Sequence, residues 1–383
     1  MPQPLSVRTS ERGTWKRCRQ QWDYAYVQLL KPRTEAPALR FGSLIHKVLE
    51  LRYPPGIKRG PHPAKSFAKL FDKELHEAEE KWGFRDSDGD WANAKELGVA
   101  MLESYVQEFG KDERYKVISS EQTFKVPVLN PKTGKIAFYY VGTIDGVWED
   151  RQDKAKLLND YKTTKNNPED LDYLALDDQA DAYWTWGVDF LYETGVLKPK
   201  DKLKGMIYTY LRKGMPDKRP MNAEGQRLNK PKKEVLVKAM ADRGIAMPVK
   251  GEGSGKDGNV VTDDLIELVG EAEAVLLGEV SEKQPAPLFH REKVFRSEVE
   301  REFARPMAYA EAREMFQARQ GKLEIYMNPG GAPPMNNCRF CGYRELCEIA
   351  KIGGDVPAMI KATMKTWGPY DAHEVADEGK ATN

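Results

Sequence analysis

Two short segments carry the residues most able to do chemistry: Gly142-Thr-Ile-Asp145 and Asn159-Asp160-Tyr161-Lys162-Thr163. Strand side chains alternate faces, so Asp160 and Lys162 share one face and Tyr161 takes the other. A hairpin between the segments brings Asp145 alongside them. Hard carboxylate oxygens suit a divalent cation such as Mg²⁺. The cation lowers the pKa of a bound water and neutralises charge on phosphoryl oxygens, while a lysine positions and polarises the nucleophile. Alone, Asp-x-Lys fits an ordinary ion pair on a surface strand equally well.

Three companions add to the pair. Phe41-Gly42-Ser43-Leu44-Ile45-His46 puts a histidine on a helix, with Glu50 one turn later. Glu121 precedes the alternating Phe124, Val126 and Val128. Gln179 and Tyr183 lie one helical turn apart. Each has a purely structural explanation when taken singly: a packed histidine, a solvated charge at a strand end, a tyrosine held by a glutamine.

The four cysteines form a second constellation. Cys338, Cys341 and Cys347 are close in sequence, and Cys18 lies far upstream. In a reducing compartment such spacing favours metal over disulfide. A local zinc finger needs a nearby fourth ligand, and no histidine is close. Four thiolates are what a cubane iron–sulfur cluster requires, with structural zinc as the rival.

In this order the motifs resemble the RecB-like branch of the PD-(D/E)XK nucleases, including the AddB nuclease domain and the CRISPR adaptation exonucleases. The resemblance runs through Gly42 to His46, Glu121, Gly142 to Asp145, Asp160 to Thr163 and Gln179 to Tyr183, then the cysteines. It implies that His46, Asp145, Asp160 and the backbone carbonyl of Tyr161 ligate Mg²⁺ or Mn²⁺, and that Lys162 is the catalytic lysine. Gln179 and Tyr183 then support the site and contact the DNA backbone, with Glu121 in an outer role. Cys18, Cys338, Cys341 and Cys347 are implied to hold a [4Fe-4S] cluster that clasps the N- and C-terminal parts together. The implied activity is DNA hydrolysis, as an exonuclease on single-stranded or duplex ends. Its setting is recombination, repair or CRISPR adaptation alongside partner proteins, and a phage origin suits a stand-alone copy. Where the superfamily name has Pro-Asp this chain has Ile144-Asp145, which is usual for the branch.

The elements that must position these residues follow from periodicity. Residues 5–30, 41–52 and 63–110 read as helical, the last broken at 86–89, and 176–192 as a further helix. Strands are expected over 124–128, over one long extended run 136–148, over 155–161 and over 206–211. A strand then a helix occupy 287–327. The expected fold is α/β, a restriction-endonuclease-like core whose central mixed sheet is flanked by helices, with a helical N-terminal region. Its expected parts are 1–211, an insertion 212–286, a return to the core 287–352, and a loosely held tail 353–383.

Composition sets wider bounds. The 383 residues are 40% hydrophobic and 31% charged, enough for a sizeable core and a polar surface. Lys plus Arg number 60 against 59 acids, so net charge neither argues for a polyanion partner nor excludes one. Lys16, Arg17 and Arg19 beside Trp15 and Trp22 suit a single-stranded DNA rim or a solvated face over packed tryptophans. Lys230, Lys232 and Lys233 suit a phosphate-contacting surface or a solvated loop. No signal-like segment or long apolar run occurs, so a cytoplasmic protein with no membrane partner is expected. No GxxxxGK[ST] motif occurs, so an ATP motor would be a separate chain. Two other classes remain open: a catalytically silent DNA-binding or scaffolding protein, and a zinc-stabilised nucleic-acid-binding module.

Overall fold

The computed structural model describes residues 5–33, 37–82, 86, 89–165, 174, 176–249, 251–331 and 336–371. Parts of the expected loops at 86–89 and 328–334, and residues 372–383 of the expected tail, lie outside them. The chain divides into two units, Met1–Gly214 with Phe289–Asn383, and Met215–Leu288.

The first unit opens with β1 (Ser6–Val7), α1 (Thr9–Arg17) and α2 (Arg19–Trp22), which runs into a π-helical turn at Asp23–Val27. Then come β2 (Leu30–Pro32), α3 (Pro37–Arg52), α4 (Pro63–Trp82) and α5 (Asp90–Phe109). Five strands follow: β3 (Tyr115–Ser119), β4 (Gln122–Leu129), β5 (Ile136–Ile144), β6 (Gly146–Asp150) and β7 (Lys156–Thr164). Next are α6 (Asp178–Ala182), a π-helical turn (Tyr183–Gly187), α7 (Val188–Glu193) and β8 (Leu203–Arg212). The second unit holds α8 (Lys233–Asp242), α9 (Thr262–Val269) and α10 (Glu271–Ala274) around its own core of Leu236, Met240, Leu265, Val269 and Ala274. The first unit resumes with β9 (Phe289–Phe295), α11 (Glu298–Arg319), α12 (Arg344–Lys351), α13 (Val356–Thr363) and β10 (Met364–Thr366).

The main sheet has the order β3-β6-β7-β8-β9, with β7 and β8 parallel and the other pairs antiparallel, so it is mixed. A second sheet has the order β1-β5-β4. The extended run expected over 136–148 is two strands. The chain leaves one sheet after Ile144 and enters the other at Gly146, with Asp145 at the crossing. The break is local: Asp145 spends its carboxylate on the Tyr161 N–H, and Gly146 has the Ser119 carbonyl 3.1 Å from where a Cβ would stand.

Alternation along β7 and β8 sorts side chains onto two cores. Leu157, Tyr161, Ile207 and Leu211 face α3, α4 and α5. Leu158, Met206, Tyr208 and Tyr210 face α6, α7, α11 and the second sheet. Arg291 of β9 ties the first side together: it stacks 4.0 Å from the Phe109 ring and pairs with Asp112 at 3.0 Å. Of the segment after Gly353, expected to be loose, the described residues include a paired strand. β10 pairs antiparallel with β2, and Trp367 Nε1 donates to the Ala25 carbonyl at 3.1 Å. Among the described residues no helix is long and apolar enough to cross a membrane.

Gly142 on β5 shows how closely the second sheet is packed. A Cβ there would stand 2.6 Å from the buried Phe124 ring. Gly142→Val should therefore cost about 1–3 kcal/mol in urea unfolding through overpacking. A loss within about 0.5 kcal/mol, the range of neutral surface changes, would show that the ring yields freely.

Candidate active site

Asp145 is fixed from two directions. Its Oδ2 accepts from the Tyr161 N–H at 2.8 Å, and its Oδ1 lies 3.1 Å from His46 Nδ1. The β6–β7 pairing, with Gly146 opposite Asn159, puts Asp160 on the next strand beside it. Helix α3 delivers His46 because Gly42 passes close to β7: a Cβ there would be 3.2 Å from Thr163 Oγ1. The glycine, the histidine and Thr163 thus belong to one contact.

Asp160 and Lys162 lie on one face of β7, as alternation requires, and pair at 2.9 Å. Asp160 is only 2% exposed, and its Oδ2 has no well-oriented hydrogen bond. Burial pushes its carboxyl up to about 6, and the Asp145 charge adds to the rise against the opposing pull of Lys162. Burial works against the charged form of Lys162, but the Asp160 carboxylate outweighs it and raises its pKa. His46 behaves alike: burial opposes its charge, and Asp145 overcomes that and raises it.

A hydrogen-bonded chain supports the lysine from behind. Lys162 Nζ donates to Gln179 Oε1, and Gln179 Nε2 donates to the Tyr183 hydroxyl at 2.6 Å. Asp177 caps α6, accepting from the Gln179 N–H at 2.7 Å, and so fixes where that glutamine starts the helix. Tyr183 is buried at the start of the π-helical turn, so its placement is that of a support. The Tyr161 ring points into the opposite core, 6.0 Å from the His46 ring centroid.

Glu121 lies in the short connection between β3 and β4, exposed. Partial burial raises its pKa, followed by the charge of Glu50 and, more weakly, of Asp145. Glu50, which pairs with Lys47 at 2.6 Å, is the acidic neighbour that the motif reading left without a role. Its signal was the spacing from His46, one turn along the same helix face. Among the described residues no three His, Cys, Asp or Glu side chains yet share one common point in the way a metal ion requires. The cause is visible: His46 and Asp145 bond each other, and Asp160 turns to Lys162. The donors nonetheless fit a hard cation: two carboxylates lie close enough for the charge of one to raise the pKa of the other, and their oxygens are hard ligands.

Cys18 lies within electrostatic reach of the C-terminal cysteines, although among the described residues no three of them meet in a metal-holding group. Cys18 Sγ accepts from the Asn328 N–H at 3.3 Å, and Asn328 and Asn337 both donate to the Arg17 carbonyl. Burial pushes the Cys347 thiol up to about 11, and Cys341, Cys18 and Cys338 each add to the rise. All four are free thiols.

Neither proposed basic surface stands as drawn. Trp15 and Trp22 are buried and pack edge-on at 4.9 Å, so they form no stacking rim. Lys16 pairs with Asp178, and Arg19 lies over Trp15 and Tyr326. In the second unit Lys230 pairs with Asp263 at 2.7 Å and Lys232 with Glu279 at 2.9 Å, while Lys233 donates to the Val260 carbonyl. Internal carboxylates neutralise the first two.

No protein of curated function matches the chain by sequence. The pattern of the PD-(D/E)XK nuclease superfamily, however, matches residues 9–348, a span that holds His46, Asp145, Asp160, Lys162 and all four cysteines. The chain belongs to the PD-(D/E)XK nuclease superfamily.

Proposed function

We propose that the protein is a Mg²⁺- or Mn²⁺-dependent deoxyribonuclease of the RecB-like branch, acting as an exonuclease in DNA end processing. The observation that carries this reading is the buried Asp160–Lys162 pair beside Asp145 and His46, an arrangement that costs stability unless a cation and a phosphate use it.

Asp145, Asp160 and His46, with the Tyr161 carbonyl, would hold the cation. When bound, it supplies a water of lowered pKa and a positive charge facing the phosphoryl oxygens. The chain's residues do the rest. Lys162 stays protonated, held by Asp160 and aimed by Gln179, and orients the attacking water against the phosphate. Tyr183 keeps Gln179 from rotating away. Glu121, next to Glu50, takes an outer supporting role beside the site. The gathered thiols of Cys18, Cys338, Cys341 and Cys347 support a [4Fe-4S] cluster joining the two ends of the chain. A silent binding protein with this fold would gain nothing from burying a lysine against a carboxylate.

The reading is tested with anaerobically purified protein and DNA labelled separately at each end. Cleavage should require Mg²⁺ or Mn²⁺, release short products from an end, and fall by about 10²–10³-fold or more in Lys162→Ala with no loss of folding. A folded wild-type protein inert with every metal would overturn it. The carboxyl of Asp160 titrates higher in the fold than in the unfolded chain, so its share of metal-free stability is present at low pH and lost as pH rises from about 4 to about 6. A cation must displace that proton. The Mg²⁺-induced rise in Tm should therefore be small at about pH 5, full by about pH 7, and absent in Asp160→Asn; equal shifts in both proteins would contradict this. Cys341→Ala should bleach a broad absorbance near roughly 400 nm and lower Tm. A colourless wild type loaded with zinc would replace the iron–sulfur assignment by a structural zinc.

A further inference from the structure

Helix α6 has five residues, too few to hold a helical geometry unaided in water. It nonetheless carries Gln179, whose amide meets Lys162. Two buried arginines from distant parts of the chain take its acidic side chains. Arg12 of α1 reaches Asp178 at 3.4 Å, while its other nitrogens bond Glu311 at 2.6 Å and the Tyr140 hydroxyl at 3.0 Å. Lys16, one turn further along α1, pairs with Asp178 as well. Arg296, directly after β9, bonds Asp181 at 2.7 Å and the Leu174 carbonyl at 2.6 Å. The grip continues past Tyr183. Tyr140, held by Arg12, stacks on Trp186 with ring centroids 4.1 Å apart. The carbonyl of Ser297, next to Arg296, accepts from Trp184 Nε1 at 2.8 Å. Each anchor thus takes one residue of α6 and one of the π-helical turn that follows.

We propose that Arg12 and Arg296 are positioning residues, an assignment that rests on the nuclease role of Lys162. Together they clamp α6, and the clamp sets the Gln179 amide that aims the ammonium. Taking a guanidinium out of water is expensive unless its partners are in place, so each arginine fixes where its aspartate stands. Gln179 lies between the two aspartates, one residue after Asp178 and two before Asp181. A slip of α6 by about 1 Å would carry its amide oxygen out of hydrogen-bond reach of Lys162. Lys162 would keep Asp160 and lose its aim, so the loss falls on the chemical step rather than on binding.

Asp178→Asn and Asp181→Asn test the clamp, since they remove the charge on α6 and leave each arginine its other partners. In DNA cleavage, kcat should fall about tenfold in each and about 10²-fold in the double variant, with KM within about twofold. The Mg²⁺-induced rise in Tm should be unchanged, because the residues that would hold the cation are untouched. In a Gln179→Ala background the same substitutions should lower kcat by less than about twofold, because their effect passes through Gln179. A full further tenfold loss there overturns the proposal, as does a loss confined to KM. Amide hydrogen exchange reads the clamp without cleavage. Residues 178–187 should exchange at least about tenfold faster in both variants, with β7 and β8 as protected as in the wild type. Unchanged exchange over 178–187 overturns the clamp whatever the cleavage result. A wild type that does not cleave overturns the nuclease role, and the exchange comparison then decides the clamp by itself.

Discussion

One buried and one half-buried carboxylate meet a half-buried ammonium where one sheet hands the chain to another, and most of the first unit is arranged to make that tolerable. Isolated charges out of water are expensive, and a pair recovers the cost only with good geometry and further hydrogen bonds. Lys162 answers Asp160, Gln179 answers Lys162, and Tyr183 answers Gln179. Asp145 draws on the Tyr161 N–H and on His46. Asp160 Oδ2 meets the Lys162 ammonium at 2.9 Å without a well-oriented hydrogen bond.

The scaffold explains why those residues stay put. β7 lies within the main sheet, between β6 and β8, and each of its faces meets a separate core. Helix α3 closes from one side through Gly42, and the α6 to α7 helix closes from the other. The N-terminal helices, α11 and the segment to Tyr370 are joined by buried polar contacts. Glu11 accepts from Trp22 Nε1 at 2.9 Å, from Arg319 at 3.0 Å and from the Tyr370 hydroxyl. Cys18, between the two N-terminal helices, adds a contact to the Asn328 N–H.

Much of this was legible in the sequence because it depends on local periodicity. Alternation placed Asp160 and Lys162 together and Tyr161 opposite, and the four-residue step placed Gln179 over Tyr183. Tertiary facts were not legible. The run through Asp145 reads as one strand because Ile144 and Val147 continue the apolar pattern, and only the pairing of two sheets breaks it. β1, β2 and β10 are two or three residues long and exist only through their partners. Trp15 and Trp22 look the same in sequence whether they stack on bases or on each other. The lysines of the second unit read as a basic surface until Asp263 and Glu279, distant in sequence, are brought to them.

The central claim is that Asp145, Asp160 and His46 close on one divalent cation. A crystal of the Lys162→Ala protein grown with Mn²⁺ and a short single-stranded oligonucleotide tests it directly through anomalous scattering. The account predicts a manganese peak about 2.0–2.3 Å from oxygens of both aspartates and from a His46 nitrogen, with a phosphate oxygen of the DNA on the same ion. A manganese bound elsewhere, or DNA seated away from β7 with no ion between these three side chains, would contradict it.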